Sequence, residues 1–251
     1  MNAERRVVLI TGAGRGIGRT TACMLGAQGA AVGVNYVRDL AAAQQTADDV
    51  ERAGGRAVLL PGDVAEETAV VAMFDELETA FGSVDALVNN AGIVAPSQPL
   101  AEMDVARLKR MFDVNVLGAY LCAREAARRM STDRGGRGGV IVNVSSAASR
   151  LGSPNEYVDY AGSKGAVDTM TIGLAKELAP RGVRVNAVRP GLIETDIHAS
   201  GGQPQRAATL GAQTPLGRPG SAEEVAQAIV WLLSDAASYV NGALLDVSGG
   251  R

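Results

Sequence analysis

Short continuous apolar runs alternate along this chain with longer stretches in which apolar residues return every three or four positions. The first run, residues 5–11 with Val7, Val8, Leu9 and Ile10 unbroken, predicts a buried strand. A glycine-rich turn and a helix-forming stretch to about Gly29 follow. Residues 31–37 predict a second strand, and 40–53 a helix stopped by Gly54-Gly55. Residues 56–60 form a third strand ending at Pro61-Gly62-Asp63, 66–81 a helix, and 84–89 a fourth strand. The stretch from Ala101 to about Met130 is helical in pattern. The glycine-rich run 132–139 is expected to be a mobile surface loop, and 140–144 a strand. From Tyr157 to about Leu178 the positions Val167, Thr171, Leu174 and Leu178 continue one helical face, and 183–188 is a strand. Residues 190–219 lack clean periodicity, and loops of that length are often lids or binding loops. An amphipathic helix at 222–233, capped by Ser221 with Glu224 three residues on, precedes a closing strand at 244–247.

Strand and helix alternating throughout predict an α/β chain: a doubly wound parallel sheet with helices on both faces, the Rossmann fold, as a single domain over 1–251. Ligands of such sheets bind beyond the carboxyl ends of the strands. The turn 12–18, Asp63, residues 89–92, Ser145, Ser146 and residues 190–195 all fall at those ends.

Composition narrows the field. The chain has 251 residues, 47% of them hydrophobic, with few aromatics and a net charge of −3, so a sizeable core is available. No basic patch with interleaved aromatics suggests a nucleic-acid partner. No apolar stretch reaches the ~18 residues of a membrane span. Residues 1–6 carry no targeting pattern. Cys23 and Cys122 lie apart in helix-like apolar segments and are expected as buried thiols in a reducing cytosol, so the expected location is cytoplasmic. A single histidine, His198, excludes a histidine-rich metal site, and no metal is expected. His198 reads as a loop residue that could line a substrate pocket. A hydrolase of similar architecture is disfavoured because no G-x-S-x-G turn is present.

The candidate chemistry lies in a few places. Tyr160 and Lys164 stand four residues apart, hence on one helical face. A phenol titrates near ~10, and a cation about 4 Å away favours the phenolate by roughly 4 kcal/mol at an effective dielectric of ~20. Such a lysine could bring the phenol to about 7, where it serves as a general acid or base. On spacing alone a tyrosine and a lysine so placed are more often surface neighbours. Gly12, Gly14, Gly16 and Gly18 between a strand and a helix suit a phosphate turn, where missing side chains let backbone approach the anion and the helix N-terminus offers free N–H groups. The spacing is not plain G-x-G-x-x-G, and a structural turn is the other reading. The second strand ends Val34-Asn35-Tyr36-Val37-Arg38 without the acid that would bind the ribose hydroxyls of NAD. Arg38 and Arg15 could instead hold a 2′-phosphate, which favours NADP over NAD. Asp63 could accept from an adenine amino group or cap a helix. Residues 89–92 are small enough for close approach to a cofactor. Asn115 is a polar residue among apolar neighbours, consistent with a buried structural amide.

Taken together these residues resemble the short-chain dehydrogenase/reductase family over essentially the whole chain. Thr11-Gly12-xxx-Gly16-x-Gly18 is similar to its cofactor motif, and Asn89-Asn90-Ala91-Gly92 to its adenine-ring and central-strand motif. Asn115, a serine after the fifth strand, Tyr160 and Lys164 match its catalytic tetrad, and Pro190-Gly191 with Thr195 its nicotinamide-side motif. The resemblance implies that Tyr160 exchanges the proton and that Lys164 lowers its pKa and holds the nicotinamide ribose. It implies that Ser146 bonds the substrate oxygen and Asn115 a water leading to Lys164. In many members the serine lies thirteen residues before the tyrosine, which here is Ala147; Ser146 is favoured over Ser145 if the loop 150–159 carries an inserted residue. Tyr157 is a weaker catalyst candidate because Ala161, not lysine, follows it by four. The implied cofactor contacts are Gly12, Arg15, Gly16, Ile17 and Gly18 at the phosphates, with Arg38 near the ribose. Asp63, Val64, Asn89, Ala91 and Gly92 would follow toward adenine and the central strand. Tyr160, Lys164, Pro190, Gly191, Ile193 and Thr195 would surround the nicotinamide, Thr195 at its carboxamide.

The implied activity is NAD(P)-dependent interconversion of a small or medium secondary alcohol and its ketone. Within the family the chain is similar to 3-oxoacyl-carrier-protein reductases and to glucose-type sugar dehydrogenases. A homotetramer is implied, with the helices around Asn115 and Tyr160 and the C-terminal strand at interfaces. The alternative is a nucleotide-binding regulator or scaffold that kept the fold without catalysis; the presence of both Tyr160 and Lys164 weighs against it.

Overall fold

A computed structural model describes residues 6–251, apart from the side chains of His198 and Ala199. Seven parallel strands form one sheet in the order β3-β2-β1-β4-β5-β6-β7. They are β1 (Val7–Ile10), β2 (Ala31–Tyr36), β3 (Arg56–Pro61), β4 (Ala86–Asn89), β5 (Gly139–Val144), β6 (Val183–Pro190) and β7 (Leu244–Val247). The order reverses between β1 and β4, which opens a crevice at their carboxyl ends, the position where such sheets take ligands.

Both faces are covered, which is why the strands read as unbroken apolar runs. Val8, Ile10, Val32, Val34 and Val142 point to one side, where α1 (Gly16–Gly26), α2 (Leu40–Arg52) and α10 (Ala222–Leu233) pack. Val7, Leu9, Leu87 and Ile141 point to the other, against α3 (Glu67–Phe81), α5 (Ala119–Met130) and α7 (Val158–Leu178). The doubly wound Rossmann architecture expected from the sequence is therefore the observed one. Cys122 is buried and Cys23 half-buried, both free thiols. No helix among the described residues is long and apolar enough to cross a membrane. Arg5 lies outside the described residues, so the expected first strand is seen from Val7.

Four segments differ from the sequence reading. The helical stretch after Ala101 is broken. The Asp104 carboxylate accepts from Arg107 N–H at 2.7 Å and starts α4 (Val105–Phe112), and a π-helical segment, Asp113–Gly118, separates it from α5. The widened turn holds Asn115, whose side chain binds both backbone groups of Ile93, and Gly118, where a Cβ would come within 2.6 Å of Val64. The glycine run 132–139 is tied down: Gly136 and Gly138 N–H donate to Ser131 and Met130 carbonyls, and Gly139 to Gly182. A short helix, α6 (Ala148–Leu151), follows the two serines. The aperiodic stretch contains α8 (Ile197–Ser200) and α9 (Arg206–Gly211). Helices of four to six residues are too short to show a period. His198 thus sits on a helix rather than in a loop; whether it lines a pocket lies outside the described side chains.

Candidate active site

The glycine turn after β1 is built by neighbouring amides. Asn35 Oδ1 accepts from Gly12 N–H at 3.0 Å, and Asn90 Nδ2 donates to the Thr11 and Gly12 carbonyls at 2.9 and 3.1 Å. Thr11 Oγ1 accepts from the Asn90 and Ala91 N–H groups, both at 2.9 Å. Gly12 has φ +63°, and a Cβ there would lie 3.1 Å from Ala91 Cα, so turn and β4 loop meet backbone to backbone. Gly18 serves the same packing: its Cβ would stand 2.6 Å from the Gly12 carbonyl oxygen.

The turn borders a cavity of about 650 Å³ along the carboxyl edge of the sheet, within the ~300–1,000 Å³ usual for ligand pockets. At one end stand Arg15, Tyr36, Arg38, Asp39 and Asp63; at the other Leu151, Tyr157, Ile197 and Arg206. Of the residues singled out in the sequence, Gly12, Gly14, Arg15, Gly16, Ile17, Arg38, Asp63, Val64, Ala91, Gly92, Ser145, Ser146, Tyr157, Tyr160, Lys164, Pro190, Gly191, Ile193 and Thr195 line it. Gly18, Asn89 and Asn115 do not. Asn89 turns away and donates to the Ala119 carbonyl at 2.8 Å, and its neighbour Asn90 faces the cavity instead. The sequence shows Thr11, Asn35 and Asn90 only as members of their motifs and gives them no role, because their work is to hold backbone. Arg206 escaped it because it lies in the aperiodic stretch.

The two serines separate clearly. Ser145 is buried and donates to the Lys164 carbonyl at 3.1 Å, pinning α7 to β5. Ser146 lines the cavity; its hydroxyl stands beside the Tyr160 phenol and accepts from Ala148 N–H at 3.1 Å. The turn between α6 and α7 accommodates the longer serine–tyrosine spacing with left-handed backbone at Gly152, Ser153 and Asn155.

Lys164 is buried and donates to the Val144 carbonyl at 2.8 Å, with its Nζ 5.7 Å from the Tyr160 ring centroid. Burial pulls the ammonium down to about 8, opposed by Asp168. Burial also pushes the Tyr160 phenol above its ordinary value, opposed by the Ser146 hydrogen bond. The expected lowering of Tyr160 is therefore not what this structure shows. The ammonium turns to a strand carbonyl, and desolvation disfavours charge on both groups. Asn115 Nδ2 donates to the Ile93 carbonyl and Ser163 Oγ at 2.9 and 3.1 Å, while its Oδ1 accepts from Ile93 N–H. A Cβ on Gly92 would lie 3.3 Å from Lys164 Nζ and 3.4 Å from Asn115 Oδ1, so these three meet at one point.

At the opposite end, Asp63 accepts from Ala65 N–H at 3.0 Å and from Arg110 at 2.7 Å. Burial raises its carboxyl, but these two bonds outweigh burial and hold it below the usual range. Neither Arg15 nor Arg38 makes an ion pair among the described residues, and the first turn of α1 contains no acid. No cluster of three potential metal ligands exists among the described residues.

A family profile described as enoyl-(acyl carrier protein) reductase matches residues 12–251. The chain is 52% identical over 245 residues to the uncharacterized oxidoreductase YgfF of Escherichia coli, covering 98% of this chain and 99% of that protein. The chain belongs to the short-chain dehydrogenase/reductase family, and it is an oxidoreductase. A second relative of the family, the cis-4-hydroxycyclohexanecarboxylate dehydrogenase of Sinomonas cyclohexanicum, is 43% identical over 249 residues, 98% of this chain and 96% of that one. A solved short-chain dehydrogenase from Burkholderia cenocepacia, in complex with NADP, superposes with a TM-score of 0.90 at 31% identity, covering 100% of this chain and 99% of that one.

Proposed function

We propose that this dehydrogenase/reductase interconverts a secondary alcohol and a ketone with NADP(H). What carries the reading is the Ser146 hydroxyl standing beside the Tyr160 phenol on the wall of the cavity that the glycine turn borders. Two hydroxyls so placed can hold one substrate oxygen between them. Ser146 orients that oxygen; Tyr160 gives it a proton in reduction and takes one in oxidation. Lys164 stands beside the tyrosine as a cation whose proton is loosened by burial, and Asn115 shapes the space next to it. A bound nicotinamide supplies or accepts the hydride.

The cavity suits that cofactor. Gly12 and Gly16 have φ of +63° and +53°, and side chains there would press on Ala91 and Thr195. Arg15 and Arg38, which make no ion pair among the described residues and stand at the end where the second strand lacks an acid, favour NADP over NAD. Asp63 and Val64 take the adenine, and Pro190, Gly191, Ile193 and Thr195 the nicotinamide side. The hydroxy acid in the name of the Sinomonas relative agrees with an alcohol substrate. Replacing Tyr160 by Phe tests the reading: turnover of secondary alcohols disappears while NADPH still binds, and undiminished turnover refutes it. The assembly is a homotetramer, supported by the apolar side chains that Val105, Phe112, Leu117 and Tyr120 leave exposed around the Asn115 segment.

A further inference from the structure

Beyond Tyr160, the cavity wall holds one cation whose hydrogen-bonding capacity is partly unspent. Arg206 opens α9, and its side chain is only 12% exposed. The guanidinium lies over the Tyr157 ring, 5.1 Å from its centroid. Nη1 donates to Glu156 Oε1 at 2.9 Å and to Gln203 Oε1 at 2.7 Å, and Nη2 to Glu156 Oε2 at 2.5 Å. A guanidinium carries five N–H donors in a planar fork. The remaining two, on Nε and Nη2, have no acceptor among the described residues. They lie side by side along one edge, the arrangement that meets a carboxylate with two parallel bonds. Nε, which has no partner among the described residues, is not sealed, so it meets open space, and the open space Arg206 lines is the cavity.

The edge is held rigidly. Glu156 grips the far end of the guanidinium and is itself fixed, its carbonyl accepting from Gln98 N–H at 3.1 Å and its N–H donating to Ser153. It follows a turn in which Ser153 and Asn155, neither a glycine, have φ of 46° and 62°. Such conformations persist where the surroundings over-determine them, often at ligand clamps. Apart from Lys164, the other charged side chains lining this end are Arg251 and Asp196; Val94, Leu151 and Ile197 between them are apolar.

We propose that Arg206 binds a carboxylate on the substrate, which makes the preferred substrate a hydroxy acid, or the matching oxo acid, with an apolar spacer between carboxylate and reacting carbon. The proposal rests on the alcohol/ketone reading of the same cavity. Tyr157, beneath the guanidinium, opens the helix on which Tyr160 follows one turn later, so the two ends of such a molecule face Arg206 and Tyr160.

Calorimetric titration of the NADP⁺-saturated protein with cyclohexanecarboxylate and with cyclohexanecarboxamide tests it. Neither probe carries an oxidisable hydroxyl, so binding is read apart from turnover. The carboxylate is expected to bind at least about tenfold more tightly than the amide, and Arg206→Gln to bring that ratio near one. Arg206→Lys, which keeps the charge and loses the two-pronged edge, should fall between. Equal binding of the two probes by the wild-type protein overturns the proposal. So does a preference that survives unchanged in either variant, with Arg206→Lys deciding if Arg206→Gln does not fold. Failure of the alcohol/ketone reading shows differently: hydroxycyclohexanecarboxylates would bind and not turn over.

Discussion

Ser146 and Tyr160 stand hydroxyl beside phenol on the cavity wall, whereas the hydroxyl of Ser145, one residue earlier, donates to the Lys164 carbonyl. The Ser145 hydroxyl is thus spent on α7, and that of Ser146 is the one placed to meet substrate beside the phenol. Ser146→Ala is expected to lower kcat by about 10²-fold or more, in line with loss of a positioned polar group at the reacting oxygen. Ser145→Ala leaves kcat within a few-fold and lowers stability by about 1 kcal/mol, the usual worth of a buried hydrogen bond. Steady-state kinetics with urea unfolding of both variants distinguishes the two roles, and a larger kcat loss in Ser145→Ala would reverse the assignment.

Arg15 and Arg38 flank the end of the cavity where β2 offers Asn35 in place of an acid, and Asn35 is itself spent on Gly12 N–H. A hydrogen bond to a charged partner contributes roughly 1.5–3 kcal/mol. Arg38→Ala is therefore expected to weaken NADPH by about ten- to a hundredfold and to leave NADH nearly unchanged, with Arg15→Ala acting in the same sense. Comparing kcat/KM for the two cofactors across the three proteins reads this directly. Wild-type preference for NADH would refute the assignment.

Much of this architecture is legible in the amino-acid order, and the reasons are local. Ser221 and Glu224 form a complete capping box, so α10 runs over the residues its pattern marks. The apolar strands show themselves because helices cover both faces. The helix after Ala101 was not legible in detail, because its interruption comes from Asn115 binding the Ile93 backbone, a contact between segments far apart in the chain. The same holds for the active site. The glycine turn, Tyr160 and Lys164 are legible only taken together with the other motifs, and the direction of the Lys164 ammonium, which depends on the Val144 carbonyl, is not legible at all. The substrate end is the least legible, since Arg206 and Glu156 meet only when two aperiodic segments fold together.

Gly18 adds a stereochemical prediction. A methyl group there would stand 2.6 Å from the Gly12 oxygen and 2.7 Å from Asn90 Nδ2, the two atoms that join the glycine turn to the β4 loop. Overpacking of this kind costs about 1–3 kcal/mol. Gly18→Ala should lower the thermal midpoint and weaken NADPH by more than tenfold, although residue 18 does not line the cavity. Fluorescence titration with NADPH beside a melting curve checks both, and unchanged affinity would show that the turn does not bind the cofactor.

Lys164 gives the pH dependence of stability a definite sign. Its folded value is pulled from 10.5 to about 8 by burial, so between those limits the unfolded chain holds more protons than the folded one. Stability rises with pH wherever the unfolded state binds more protons, so this lysine contributes a gain between about pH 8 and pH 10.5 and no further change above it. Tyr160 acts oppositely above pH 10: burial keeps its proton on the folded protein after the unfolded chain has released it, so stability falls there. The thiols of Cys23 and Cys122, also raised by burial, act in the same sense as Tyr160 from about pH 9, so it is the comparison with a lysine variant that isolates the lysine. Lys164→Met, neutral throughout, should lack that gain. The stability of the wild type relative to Lys164→Met, measured by urea unfolding at pH 7, 8, 9 and 10, is expected to be flat below 8 and to climb above it. A difference that stays flat up to pH 10 would mean that the folded protein holds the ammonium at least as tightly as water does, as a permanent ion pair would.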